Sequence, residues 1–204
     1  FRAYKMGKRF FRRILNEIDI VVAQSDKDSE RFKELGYEKK VSVFSNLKFD
    51  VRPKKHHLFN GGTLRSRLGK KTVWLALSTR EGEEKEISTS WRQRMFSEKD
   101  EVLIIVPRHP ERFYKVLREV QLGGCTADTK TNFLRQKNTY SKGCPSILIG
   151  DSIGEVQMYL AASDMVLIGG SVISRGGQNP LEACIQKKII FFGSYMFNFE
   201  NISN

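Results

Sequence analysis

The stretch "VLIIVPRHPERF", residues 102–113, passes from a continuous apolar run to a basic turn and then to a polar, helix-like segment. The apolar run is rich in β-branched residues and does not alternate with polar ones, which is typical of a strand buried on both faces of a sheet. Pro107 ends the run, and Pro110 suits the first position of a helix. The stretch therefore predicts a buried strand, a turn that carries Arg108 and His109, and a helix.

Similar apolar runs recur along the chain, and polar segments of helical length separate most of them. The runs occupy residues 18–23, 41–44, 73–78, 102–106, 146–150, 165–169 and 189–193. Strands that alternate with helices are typical of a parallel sheet covered by helices on both faces. The sequence therefore predicts an α/β fold with a Rossmann-like, doubly wound parallel sheet. Residues 52–62 and 121–145 are the least patterned, and we predict loops for both.

Composition restricts the classes of partner and site. The chain has 204 residues, enough for one large domain or somewhat more, and its formal net charge of +12 favours an anionic partner. Nucleic acid, anionic lipid and a phosphorylated substrate all meet that requirement. Cys125, Cys144 and Cys184 form no Cys-x-x-Cys pair, so a reducing cytosol fits better than a disulfide framework or a zinc site. His56 and His57 lack acidic or cysteine partners at a useful spacing, and we predict no metal site.

The loop after the third apolar run suits anion binding, because open α/β sheets bind ligands at the carboxyl ends of their strands. In "STREGEE", residues 78–84, the hydroxyls of Ser78 and Thr79 lie beside Arg80 and a predicted helix N-terminus. Ser78 and Glu81 also have the spacing of a capping box, which by itself explains both residues. The two interpretations are compatible.

The turn with Arg108 and His109 also has two interpretations. As a site, it presents a basic pair to a ligand across exposed backbone N–H groups. As structure, His109 caps the helix and Arg108 pairs with Glu111. The segment "GDSIGE", residues 150–155, follows another predicted strand, but an acid such as Glu155 in a first helical turn commonly only complements the helix dipole.

The segment "GGSVISRGGQNPLEA", residues 169–183, is the most informative of these loops. Its four glycines permit close backbone approach to a ligand and positive φ angles on both sides of Arg175. Asn179, Pro180 and Glu182 have the pattern of an N-cap, a first-turn proline and a capping-box acid. A helix is therefore predicted to start there, with its N-terminus suited to a phosphate or carboxylate.

Seven segments in this order and at this spacing resemble the C-terminal domain of bacterial 3-deoxy-manno-octulosonic acid (Kdo) transferase. They are "AQSDKDSERFKELG", "NLKFD", "STREGEE", "PRHPERF", "GDSIGE", "GGSVISRGGQNPLEA" and "FNFEN". The resemblance covers nearly the whole chain. It implies one half of a GT-B glycosyltransferase, which transfers Kdo from CMP-Kdo to a lipid A precursor with inversion and without a metal ion or other cofactor.

The resemblance also implies how the chain is divided. Residues 1–17 correspond to a basic linker or helix from a missing N-terminal domain, and residues 18–204 to the C-terminal donor-binding domain, truncated at its end. The family's general base is a glutamate of the N-terminal domain, so no residue of this chain is expected to be catalytic. Alone, the chain is expected to bind donor at best.

The donor site implied by the resemblance uses the loops described above. Its residues are Ser78, Thr79, Arg80 and Glu83 along the cleft, Arg108 and His109 near the phosphate, Glu155, Gly170, Ser171 and Arg175 at the donor, and Asn179 and Glu182 at the ribose or the Kdo carboxylate. This chain departs from the usual family pattern at four positions, which bears on donor affinity. It has Arg80 and Gln178 in place of histidine, Ala183 in place of proline and Ser45 in place of glycine.

The amino-terminal segment "FRAYKMGKRFFRRI", residues 1–14, interleaves six Lys or Arg residues with Phe and Tyr. It suits a basic amphipathic helix beside anionic lipid headgroups. Together with this pattern, the resemblance implies a peripheral location on the cytoplasmic face of the bacterial inner membrane. Packing of its aromatic face against the missing domain explains the pattern equally well.

Two further functions remain open from the residues. One is the donor-binding half of another GT-B enzyme that uses a UDP-sugar. The other is a non-enzymatic domain that binds nucleic acid or other anions. Nucleic acid is disfavoured because the chain has no recognition module and its basic residues are interspersed with acids.

Overall fold

The computed structural model describes residues 4, 6–44, 52–69, 71–94, 100–136 and 145–199. The chain divides into two compact units, Phe1–Asp50 and Val51–Asn204. The segment "NLKFD", residues 46–50, lies outside the described residues together with Ser45. The two units are described separately.

The first unit is a small α/β arrangement. Its elements are α1 Lys8–Asn16, β1 Val21–Ala23, α2 Asp26–Glu34 and β2 Val41–Val43, and the two strands pair in parallel. The Ser25 hydroxyl caps α2 by accepting from the Asp28 N–H at 3.1 Å. The Asn16 side chain ties the end of α1 to the turn after α2, because its Nδ2 donates to the Gly36 carbonyl at 3.0 Å. The basic helix predicted at the start of the chain is present as α1.

The second unit contains a six-stranded sheet whose strands are all parallel, in the order β5-β6-β4-β3-β7-β8. Its helices are α3 Lys55–Leu68, α4 Glu83–Arg94, α5 Phe113–Leu122, α6 Lys130–Arg135, α7 Val156–Ala162 and α8 Leu181–Ile185. Its strands are β3 Thr72–Thr79, β4 Glu101–Pro107, β5 Ala127–Thr129, β6 Ile147–Ile149, β7 Met165–Ile168 and β8 Ile189–Phe191. A single 3₁₀ turn, Pro110–Arg112, precedes α5. The predicted α/β, doubly wound fold is confirmed.

The core forms two layers because neighbouring residues of a strand point to opposite faces of the sheet. One layer packs Leu75 and Ile104 against α3 and α7, and the other packs Ala76 and Ile105 against α4 and α5. Every residue of β4 is buried. The continuous apolar run that opens the sequence is therefore a central strand covered on both faces.

The prediction of a loop at residues 52–62 is wrong, because most of that segment is the first part of α3. The segment has little apolar pattern, but its Gly61 is a helix contact. A Cβ atom at Gly61 would lie 2.5 Å from the Ala161 Cβ and 2.7 Å from the Met158 carbonyl oxygen. Gly61 thus allows α3 to approach α7 closely, and this packing is not visible in the local sequence.

The prediction of a loop at residues 121–145 is also wrong for part of that range. The segment contains β5, which is an edge strand, and α6. The Thr129 hydroxyl starts α6 by accepting from the Asn132 N–H at 3.1 Å. Residues 137–144 lie outside the described part of the chain. The strand has only three residues, too few to give a recognisable apolar pattern.

Candidate functional site

The four predicted ligand-binding loops lie along one edge of the sheet. Because all six strands run in the same direction, their carboxyl ends share that edge. Strands β6, β4, β3 and β7 are successive neighbours, so the loops after them lie side by side. Ser78, Arg108, Glu155 and Arg175 therefore belong to one rim rather than to opposite sides of the sheet.

Strand β3 ends in an irregular backbone. The pairing register with β4 shifts between Leu77 and Thr79, and Ser78 has a φ of 58°. The Arg108 N–H donates to the Thr79 carbonyl at 3.0 Å, which joins the ends of β3 and β4. On the other side, a Cβ atom at Gly169 would lie 2.7 Å from the Leu77 carbonyl oxygen, so only glycine fits where β7 ends.

The predicted capping box of Ser78 and Glu81 does not form. Helix α4 begins only at Glu83, and Glu81 is exposed and pairs with the Lys115 ammonium at 2.7 Å. Glu83 takes the place of the capping acid, since its Oε2 accepts from the Arg80 N–H at 2.8 Å. The left-handed backbone at Ser78 and the turn after it move the helix start beyond the predicted position.

The Glu83 carboxylate joins two loops of the rim from a fully buried position. Besides the Arg80 N–H, its Oε2 accepts from the Gly170 N–H at 2.7 Å, and its Oε1 accepts from the Val172 N–H at 3.1 Å. Hydrogen bonds to an ionised acceptor are about twice as strong as neutral ones. Glu83 thus fixes the loop after β7 against the start of α4, and its carboxylate has no exposed surface to offer a ligand.

The neighbouring Glu84 makes a second buried connection, which the sequence did not single out. Its carboxylate accepts from both terminal nitrogens of Arg112 at 2.8 and 3.0 Å, and from the Thr79 hydroxyl at 2.8 Å. Burial lowers the pKa of Arg112, but the contacts with Glu84 raise it more, and the net direction is upward. This pair holds the turn after β4 against α4. The two consecutive glutamates of "GEE" were the only sequence feature that pointed to the contact of Glu84 with Arg112.

The Arg80 guanidinium, on the loop after β3, contacts two neighbouring loops of the rim. The Arg80 Nη1 lies 2.8 Å from His109 Nε2, and since arginine only donates, this nitrogen accepts. The Gln178 amide fits with its oxygen toward Arg80, where it accepts from Nε and Nη2 at 3.2 Å each. The two departures from the family pattern at positions 80 and 178 are therefore in contact with each other.

His109 and Arg108 do not have the structural roles considered for them. His109 makes no side-chain capping bond, and its Nδ1 is 3.8 Å from Glu111 Oε1. Within the described residues, the exposed Arg108 side chain has no hydrogen bond or ion pair, and the same is true of Arg175. The rim thus keeps two unpaired guanidinium groups in solvent.

The loop after β7 is held by its own hydrogen bonds and by glycine contacts. The fully buried Ser171 hydroxyl donates to the Ile168 carbonyl and accepts from the Gly193 N–H at 2.9 Å. Gly176 and Gly177 have φ angles of 84° and 74°. Cβ atoms at these two positions would overlap the side chains of residues 196–198, which gives the glycines around Arg175 a packing reason.

Helix α8 starts close to the predicted position. It begins at Leu181 after Pro180, and the Asn179 Oδ1 accepts from the Leu181 N–H at 3.1 Å. Glu182 lies in the first turn, where its charge complements the helix dipole. The helix start was predicted to within one residue, but the predicted cap is wrong: Pro180 rather than Asn179 is the N-cap residue, and among the described residues no Glu182 side-chain hydrogen bond completes a capping box.

Glu155 pairs with a residue that the sequence did not identify. The buried Lys130 ammonium donates to Glu155 Oε2 at 2.9 Å. Burial raises the pKa of Glu155, but hydrogen bonds from Ser152 and Lys130 lower it more, so the net direction is downward. Nearby, the Ser152 hydroxyl lies 2.6 Å from the buried Tyr159 hydroxyl. Lys130 was missed because it lies in the segment predicted as a loop.

Metal-binding geometry is absent from the part of the chain that the structure describes. No group of three or more His, Cys, Asp or Glu side chains there is placed to hold a metal ion. His56 and His57 lie side by side, with ring centroids 4.1 Å apart. None of the described helices is long and apolar enough to span a lipid bilayer.

Comparison with known proteins tests the resemblance. Residues 1–51 match the family described as 3-Deoxy-D-manno-octulosonic-acid transferase (kdotransferase). The 3-deoxy-D-manno-octulosonic acid transferase of Haemophilus influenzae is 31% identical over 205 residues, which cover 98% of this chain and 47% of that protein. The enzyme of the same name from Bordetella pertussis is 32% identical over 195 residues, or 93% of this chain and 44% of that protein.

The chain is homologous to the Kdo transferases. It spans about half the length of the curated relatives it matches. A solved structure, the C-terminal CMP-Kdo binding domain of WaaA from Acinetobacter baumannii, is similar with a TM-score of 0.65 and 27% identity, covering 74% of this chain and 77% of that one. The resemblance to the C-terminal domain of Kdo transferases is confirmed.

Proposed function

We propose that this chain is the donor-binding half of a Kdo transferase and that it binds CMP-Kdo at the carboxyl edge of the six-stranded sheet. The observation that carries the proposal is the arrangement of this edge, where the predicted loops lie side by side and keep two guanidinium groups unpaired. The similarity to a solved CMP-Kdo binding domain supports it. The donor carries a phosphate and a carboxylate, and both are suited to arginine.

The proposed site separates residues that contact the donor from residues that position them. Arg108 and Arg175 are exposed and unpaired among the described residues, so they are the proposed contacts for the donor's negative charges. Glu83 and Ser171 have fully buried side chains that bond the protein backbone, which suits a positioning role.

The remaining predicted residues contribute polar groups along the same edge. Arg80 and His109 are already in contact, so they present one joint surface. The Thr79 hydroxyl is bonded to Glu84, its carbonyl accepts from the Arg108 N–H and the residue is fully buried, so Thr79 is proposed to position its neighbours rather than to contact the donor. The other proposed contacts are Ser78, Glu155, Gly170, Asn179 and Glu182.

The whole protein is proposed to transfer Kdo to a lipid A precursor with inversion and without a metal ion. Its general base is proposed to lie in the N-terminal domain, so this chain alone binds donor without turning it over. A lipid acceptor requires a membrane surface. The proposed contact in the first unit is α1, where Phe10 is 66% exposed and Arg9 and Arg13 are exposed beside it. We place the protein peripherally on the cytoplasmic face of the inner membrane.

A competition titration tests the donor assignment. Displacement of a fluorescent CMP analogue from the chain by CMP, CMP-Kdo and UMP is expected to be strongest with CMP-Kdo and weakest with UMP. Tighter binding of UMP than of CMP would instead favour a UDP-sugar enzyme. Raising the salt concentration is expected to weaken binding only mildly, because a single nucleotide displaces few counterions. A steep linear loss in a log-log plot would point to nucleic acid.

A further inference from the structure

Helix α3 carries a strongly basic segment that the proposed donor site does not use. From residue 51 to residue 71, in and around this helix, the chain has no Asp or Glu, while it has seven Lys or Arg residues. Such separation of charge contrasts with the mixed charges of α4 and α5. The basic residues at the C-terminal end of α3 are already engaged, because Arg65 pairs with Asp164 at 2.7 Å and Arg67 donates to backbone carbonyls. Within the described residues, no ion pair engages the lysines at the N-terminal end of the helix.

Packing fixes which face of α3 points to solvent. Gly61, Leu64 and Leu68 are buried, and Gly61 meets α7 so closely that no side chain fits between the helices. At 100° per residue, these three positions form one stripe, and Phe59 lies on the opposite side. Phe59 is 76% exposed. It cannot turn inward without breaking the contact between α3 and α7.

The neighbours of Phe59 on the outer face are polar or basic. Lys55 precedes Phe59 by four residues and His56 by three, so both side chains lie on its side of the helix. Arg52 and Lys54, just before the helix, are also exposed. Within the described residues, the side chains of Arg52, Lys54 and Lys55 make no ion pair.

We propose that this α3 face, formed by Lys55, His56 and Phe59 with the exposed Arg52 and Lys54 of the segment just before the helix, docks on an anionic phospholipid bilayer. Basic residues beside an exposed aromatic ring suit the interfacial region, where the ring enters the acyl boundary and the cations stay among headgroup phosphates. Leu58, 43% exposed, adjoins the face. An aliphatic side chain has no stacking surface for a base, which favours lipid over nucleic acid. The inference does not depend on donor binding.

Flotation of the full chain with vesicles tests the proposal. Binding is expected with vesicles of phosphatidylcholine and phosphatidylglycerol, and not with phosphatidylcholine alone. Each basic residue near an anionic surface raises partitioning about fivefold, so K54Q/K55Q is expected to reduce it roughly 25-fold. F59S is expected to reduce binding at every salt concentration tested, because it removes an apolar contact rather than a charge. Circular dichroism establishes that each variant is folded.

Two control variants distinguish this face from net charge and from α1. K85Q/R118Q removes two exposed cations from the outer surfaces of α4 and α5 and is expected to change partitioning less than twofold. If K54Q/K55Q behaves like this control, the proposal is refuted. Loss of binding in R9Q/R13Q but not in K54Q/K55Q would assign membrane contact to α1 alone and also refute it. Displacement from vesicles by polyuridylate, with no effect of F59S, would identify the face as a nucleic-acid surface.

Discussion

Replacing Glu83 by Gln tests whether one buried carboxylate holds the rim together. The carboxylate accepts three backbone N–H groups, two at Oε2 and one at Oε1. With its oxygen in the place of Oε2, the glutamine side chain keeps the bonds to Arg80 and Gly170 in a weaker, neutral form. Its NH₂ group then faces the Val172 N–H, and a buried donor without an acceptor costs about 1–3 kcal/mol. Together with the two weakened bonds, the expected loss of unfolding free energy is about 3 kcal/mol.

Urea denaturation measures this loss as a lower midpoint with an unchanged slope, since the surface exposed on unfolding stays the same. CMP binding is expected to weaken in the same variant under conditions where it is fully folded, because the loop from Gly170 to Val172 loses its anchor. Glu81→Gln is the matched control. It removes an exposed pair with Lys115, which solvent screens, so the urea midpoint is expected to stay close to that of the parent chain. If the two variants are equally stable, the positioning role of Glu83 is wrong.

Three further predictions concern packing and pH. Gly61→Ala is expected to destabilise the protein by about 1–3 kcal/mol, because its Cβ would meet Ala161. Gly62→Ala has open space around its Cβ and is expected to stabilise the protein by about 0.5–1 kcal/mol. Equal shifts in the urea midpoint would contradict the close contact of α3 with α7. The hydrogen bond from Arg94 lowers the pKa of Glu101 below its ordinary value of 4.5, so this pair stabilises the fold above that pH. Its contribution of about 1 kcal/mol is lost as the pH falls through the lowered pKa. Glu101→Gln is therefore expected to make the free energy of unfolding less dependent on pH in the acid range, and an unchanged dependence would argue against the pair. Burial raises the pKa of the Cys125 thiol, whereas Cys184 is exposed. Alkylation followed by peptide mass spectrometry is therefore expected to label Cys184 well before Cys125. The reverse order would contradict the packing of Cys125 against α5.

The strands were predictable because burial on both faces produces continuous apolar runs. The central strands, β3 and β4, extend the predicted runs by only one residue at either end. Strand β5 was missed because an edge strand of three residues does not need a long apolar run. Helix α3 was missed for a different reason. Its first part has little apolar pattern, and only the packing of α7 on Gly61 explains why a glycine is needed inside the helix.

The location of the candidate site was predictable, but the roles of its individual side chains were not. A parallel sheet requires all four loops to meet at one edge, so the sequence was sufficient to group them. The sequence could not distinguish a glutamate that bonds backbone N–H groups, such as Glu83, from one that faces a ligand. That distinction depends on partners distant along the chain. The ion pair of Lys130 with Glu155 and the contact of Arg80 with Gln178 were hidden for the same reason.

The affinity of R108A/R175A for CMP-Kdo, measured by isothermal titration beside the parent chain, is the most direct test of the central claim. Both arginines are exposed on rim loops, so the variant is expected to keep the stability of the parent. Each lost contact with a charged group is expected to cost about 1.5–3 kcal/mol of binding free energy, which makes the double variant at least a hundredfold weaker. Affinity equal to that of the parent chain would show that the carboxyl edge of the sheet does not hold the donor's negative charges.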